Sequence, residues 1–195
     1  MADQSNLVQH FLAGKIERRE FLRQMGLLSG AASLSSILGC SYALGVRAPE
    51  LSPHNSKIIQ SVQQQLLPSE SNAPGAREIN AFPYLQFVLL DPRVDDDEKE
   101  LLQNGAGWID DEAQERFSKE YLQLSPTEQQ QLLAHVVELG WGERWCALLL
   151  TYLFEALLTD PLYGGNPQAV GWRWLEHQPG LPRPRPEQRY PKNYL

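Results

Sequence analysis

"WGERWCALLLTYLFEALL" fills residues 141–158, and its reading decides the fold. Glu143, Arg144 and Glu155 are its only charges. A helix that is apolar on all sides belongs in a core or a membrane, and these charges interrupt the run too often for a membrane span. The segment is therefore expected to be a central helix contacted on several sides. Such a helix needs either a core larger than its neighbours supply or a second protein over one face.

The segments before it carry helical periods. Ile58, Ile59, Val62, Leu66 and Leu67 recur at helical spacing and Pro68 stops them. "PSESNAPGARE", residues 68–78, reads as a loop. Residues 79–90 are apolar and predict a helix with Phe82, Leu85, Gln86 and Leu89 near one face, despite Pro83 close to its start. "DPRVDDDEKELL", residues 91–102, opens another helix with acids where the helix dipole favours them. Ile109, Ala113, Phe117 and Tyr121 fall four apart on one stripe. Ser125, Pro126 and Glu128 supply a cap, a first helical position and a capping box. Leu132, Leu133, Val136 and Val137 form that helix's buried side, and Gly140 is expected to end it.

No sustained alternation and no hairpin turn between β-branched runs is present, so the fold class is all-α. The helical domain is assigned to 57–177, after a tether over 40–56 that contains Pro49, Pro53 and His54. The tail, 178–195, holds five prolines and four Lys or Arg and is expected to be extended. It is expected to be either a disordered end or an arm on a partner, with Tyr190 and Tyr194 to bury.

Residues 1–39 read as an export signal. In "ERREFLRQMGLLSGAASLSSILGC", residues 17–40, Arg18 and Arg19 precede Phe21 and Leu22, and no charge follows from Gln24 to Val46. A basic block before a short apolar run of small residues is a secretory layout, and adjacent arginines point to the twin-arginine route, which carries folded proteins. Glu17 stands where such signals often carry Ser or Thr. "ILGC" at 37–40 resembles the box at which bacterial lipoproteins are cut and acylated on cysteine, here Cys40. Cleavage elsewhere and retention as an anchor are the alternatives. The expected location is the periplasm, membrane-associated, with a lipid anchor if Cys40 is acylated.

The whole chain of 195 residues carries net charge -7. An acidic chain without a basic cluster is not a nucleic-acid binder. With Cys40 in the signal, Cys146 is left either as a buried thiol or as an intersubunit bond. His10, His54, His135 and His177 lack metal-ligand spacing to each other or to cysteine, so neither a metal nor a catalytic residue is assigned. No C-x-x-C-H haem site is present either.

"LLTDPLYGGNPQAVGWRWL", residues 157–175, reads as a rigid turn. Asp160 can accept backbone N–H groups, Pro161 fixes the exit angle, and Gly164 and Gly165 can take positive φ. Asn166 before Pro167 is a cap for a short last segment that ends at Gly171 and Trp172. Glu155 and Asp160 interrupt apolar sequence and require partners if buried, either backbone amides or an arginine of another chain.

Here the sequence resembles a family. "DPLYGGNPQAVGW", residues 160–172, looks like the signature of the gluconate 2-dehydrogenase subunit 3 family, the small subunit of membrane-associated flavoprotein dehydrogenases. Asp160, Pro161, Tyr163, Gly164, Gly165, Asn166, Gly171 and Trp172 carry the match. "LLPSESNAPGARE", "GAGWIDDEAQERF" and "YLQLSPTEQQQLL" resemble further parts of it, so the likeness runs from Ile58 to Trp174. The resemblance implies a non-catalytic accessory subunit. It would help fold, stabilise and carry through the twin-arginine translocase an FAD-dependent large subunit of the glucose-methanol-choline class. That class often passes electrons to a multihaem cytochrome c subunit. FAD would belong to the partner, with no cofactor in this chain. Two other readings stay open, a lipid-anchored binding protein presenting Trp172 and Trp174 to a sugar, and a hydrolase using Asp160 with His177.

Overall fold

The side-chain oxygen of Ser52 accepts the N–H of Asn55 at 3.0 Å, and Pro53 follows at the first helical position. That cap starts α1, Pro53–Leu66, inside the stretch expected to be a tether. His54 consequently sits in a helical turn, where its Nε2 lies 3.0 Å from Asp110. The computed structural model describes residues 51–188 together with His10 and Glu20. The chain divides into two units, Met1–Pro49 and Glu50–Leu195. Arg18, Arg19, Phe21, Leu22, Cys40, Tyr190 and Tyr194 lie outside the described residues.

Five helices follow α1. They are α2, Ala81–Leu90, α3, Asp96–Phe117, α4, Pro126–Val136, α5, Gly140–Leu158, and α6, Val170–Leu175. Among the described residues there is no strand, only an isolated bridge between Glu70 and Ala73. The domain is all-helical, as its sequence periods predict.

The capping box of α4 forms as expected. The Glu128 N–H donates to the Ser125 hydroxyl at 3.3 Å, and the Ser125 N–H donates to the Glu128 carboxylate at 2.7 Å. That backbone bond, aided by Lys119, lowers the Glu128 carboxyl to about 2. α3 is started by Asp95, whose side chain accepts the Asp97 N–H at 2.8 Å, with three acids in its first turn. It ends at Ser118, which is left-handed at φ 55. Tyr121 returns to the core from its own short turn, Tyr121–Gln123. Its N–H donates to Asp110 at 2.6 Å. Asp110 thus lies inside α3 and ties two elements to it, α1 through His54 and the Tyr121 turn.

α5 packs against α1, α2, α3 and α6. Trp145, Cys146, Leu149, Leu150, Leu153 and Ala156 are fully buried along it, each large apolar side chain contributing about 1.5–3 kcal/mol. Trp145 stays in the core because its indole N–H donates to the Leu102 carbonyl of α3 at 3.2 Å. The exposed positions of α5 include Arg144, Thr151, Glu155 and Leu158, close to one face.

One boundary and one helix face differ from the sequence reading. Gly140 opens α5, because Val137 to Leu139 turn on i–3 and i–4 backbone bonds that finish α4 earlier. In α2 the buried face is Ala81, Tyr84, Leu85, Val88 and Leu89, with Phe82 half-buried and Gln86 exposed. Asn80 enters that helix from a left-handed φ of 55.

Candidate functional site

The elbow after α5 begins where Thr159 donates its N–H to Glu155 and leaves the helix extended. Asp160 next accepts the Leu162 N–H at 3.0 Å and so caps a single turn, Pro161–Tyr163. Gly164 follows at φ 91, a conformation that side chains resist. Gly165 is not left-handed and is required for a different reason. A Cβ there would stand 2.8 Å from the Ala156 carbonyl oxygen. Gly171 likewise lets α6 approach α5, since its Cβ would meet the Leu157 oxygen at 2.2 Å.

Asn166 holds the elbow together. It is fully buried. Its backbone N–H donates to Ile79 at 3.0 Å, its side-chain NH2 donates to the Thr159 carbonyl at 3.0 Å, and its side-chain oxygen accepts the Gly171 N–H at 2.7 Å. The cap expected over Pro167 is therefore replaced by a staple that joins α2's entry, α5's end and α6. The positive φ expected at both glycines is found at Gly164 but not at Gly165, and Asn166, Gln168 and Ala169 adopt it as well. Such non-glycine residues cost about 1–3 kcal/mol each and persist only when their surroundings hold them. The Arg173 guanidinium, which donates to the Gln168 carbonyl, helps to do so.

Trp172 closes the site. It is 6 % exposed, and its indole N–H donates to the Leu158 carbonyl at 2.7 Å. The His177 ring lies 5.9 Å from it, and the Arg183 guanidinium sits 5.1 Å above its centroid. Arg183 also donates through Nε and Nη2 to Asp160, both at 2.9 Å. The arginine that Asp160 requires thus comes from this chain's own tail. Tyr163 is half-buried and faces Phe87 of α2 at 6.4 Å.

This arrangement bears on the other readings. Asp160 is occupied by Leu162 and Arg183 while His177 lies against Trp172, which is not a nucleophile-and-base geometry. Trp172 offers little free ring for a sugar. Cys146 is fully buried, and burial pushes its thiol up to about 12. A disulfide to another chain would require α5 to open.

In a second polar group the partner of Glu155 is a tyrosine, where the sequence led one to expect a backbone amide or an arginine. The Tyr84 hydroxyl donates to Glu155 at 3.1 Å, and the Tyr152 hydroxyl donates to Glu98 at 3.0 Å. Glu155 is exposed as a residue, but its carboxyl is tucked against the Tyr84 hydroxyl, and that local desolvation, with the charge of Glu98 adding to it, raises the carboxyl above its ordinary value. Burial and the neighbouring carboxylates raise both tyrosines. The signal available was Glu155 within an apolar run, which required a partner but did not name Tyr84. Nearby, Arg93 clamps the buried Asp91 and lowers its carboxyl. Among the described residues no group of His, Cys, Asp and Glu is arranged to hold a metal, and no helix is long and apolar enough to cross a membrane.

These features define a small helical domain whose distinctive residues serve packing, on a scaffold of six helices. A family model for gluconate 2-dehydrogenase subunit 3 matches residues 53–180, and the chain belongs to that family. Membership implies other subunits of a gluconate dehydrogenase complex. No curated protein and no solved structure matches the chain.

Proposed function

We propose that this chain is a non-catalytic accessory subunit that assists the folding, twin-arginine export and stability of an FAD-dependent dehydrogenase of the glucose-methanol-choline class. The observation that carries this reading is the family match across the helical domain. The elbow adds support, because its distinctive polar groups are used in bonds within the chain. The signal at Arg18 and Arg19 addresses the complex to the periplasmic side of the membrane, with Cys40 as the lipid attachment point. FAD resides in the large subunit, and a multihaem cytochrome c subunit receives the electrons.

The test is to purify the tagged protein from the periplasm and membranes of its native host, record the flavin spectrum, and identify companion chains by mass spectrometry. A stoichiometric flavoprotein is the expected result. A colourless solitary protein would overturn the reading.

A further inference from the structure

A cleft of about 510 Å3 crosses α1, between the loop that enters α2 and Gln129 of α4. Its charge is one-sided. Lys57 and Arg77 line it and no carboxylate does, in a chain of net charge -7. Both cations are exposed, and neither makes an ion pair among the described residues.

The amides in the cleft are the second observation. Gln129 is satisfied, accepting from Ser61 at 3.3 Å and Gln65 at 3.2 Å and donating to the Tyr121 carbonyl at 3.2 Å. Gln63 is not. It is 1 % exposed, and its side-chain NH2 has no partner. Next to it, Gln64 donates to Ser69 at 3.1 Å while its buried side-chain oxygen accepts nothing. Buried donors and acceptors are nearly always paired in folded proteins, and leaving one dry is costly. Here one unpaired donor and one unpaired acceptor belong to adjacent residues lining the same cleft.

An extended peptide offers a carbonyl and an N–H at every residue. Lys57 and Gln64 are seven residues apart on α1, about 10 Å along the helix axis. Three or four residues of extended chain cover that length. We propose that this cleft binds an extended acidic segment of the partner subunit, its backbone pairing with Gln63 and Gln64 and its carboxylates with Lys57 and Arg77. The proposal rests on the accessory-subunit reading, and it adds a docking surface separate from the elbow.

The test uses the intact complex from the native host, with the photo-crosslinker benzoylphenylalanine in place of Gln60, an exposed residue lining the cleft. Irradiation and mass spectrometry are expected to place the crosslinks on one acidic stretch of the partner. The double variant K57E/R77E should weaken the complex at least tenfold at low salt and leave the melting of the isolated subunit unchanged. Gln63→Met should raise that melting temperature yet weaken the complex. An intact complex without partner crosslinks from this position would overturn the proposal. So would undiminished affinity in both variants. A chain that purifies alone before any irradiation would remove the accessory reading first and the proposal with it.

Discussion

Asn166 and Gln63 are both buried amides, one fully and the other 1 % exposed, and they meet opposite fates. At the elbow, Asn166 uses its backbone N–H and both ends of its side chain within the chain. On α1, the Gln63 nitrogen is left without a partner. The same domain can therefore satisfy an amide completely where the backbone requires it. Dense packing alone does not explain the orphan. The elbow is closed on itself, whereas the face of α1 has unspent hydrogen-bonding capacity.

The largest test of this contrast is Asn166→Ala. It strands the Thr159 carbonyl and the Gly171 N–H, each costing about 1–3 kcal/mol. Loss of about 3 kcal/mol in urea unfolding is expected, and a loss near zero would show that the staple is replaceable. Gly171→Ala should cost about 2 kcal/mol by forcing α6 off the Leu157 carbonyl, read as a lower melting temperature. Gln63→Met acts in the opposite direction. It removes a dry donor from the isolated subunit and should stabilise it by about 1 kcal/mol.

Smaller effects follow. Glu155 has a raised carboxyl in the fold, so the folded state holds the proton more tightly than the unfolded chain does. Its contribution is complete below its ordinary value of 4.5 and is lost as the pH rises through the raised value. Glu155→Gln should therefore stabilise the fold at pH 7 by well under about 1 kcal/mol after solvent screening, read as a slightly higher melting temperature. The gain should vanish near pH 4, and a gain independent of pH would rule out the protonation account. Arg183→Ala should cost less than about 1 kcal/mol, as expected for an exposed ion pair. Increased proteolysis of the tail beside an unchanged core would sharpen the picture of Arg183 as a strap.

Much of the helical order was legible because its signals are local. The capping box at Ser125 and the acids before α3 act within one turn, and the apolar run of α5 identified the central helix. The start of α1 was legible too, since Ser52-Pro53 repeats the Ser-Pro opening that marks α4, but Pro53 read as tether. Gly140 was ambiguous, because glycine both follows helices and tolerates helical φ. The elbow was readable as a turn but not as a staple. Its bonds join residue 166 to residue 79, and no spacing rule reaches that far. The tail arginine escaped for the same reason, because Asp160 showed a need for a partner without showing where one would come from.

The bond from Asn166 to Ile79 also has a consequence in time. During vectorial synthesis α1, α2 and α3 emerge first, and their apolar faces have no α5 to meet. The core cannot close before α5 is made, and α2's entry cannot be locked before residue 166 appears. Until that moment the nascent chain presents adhesive surface.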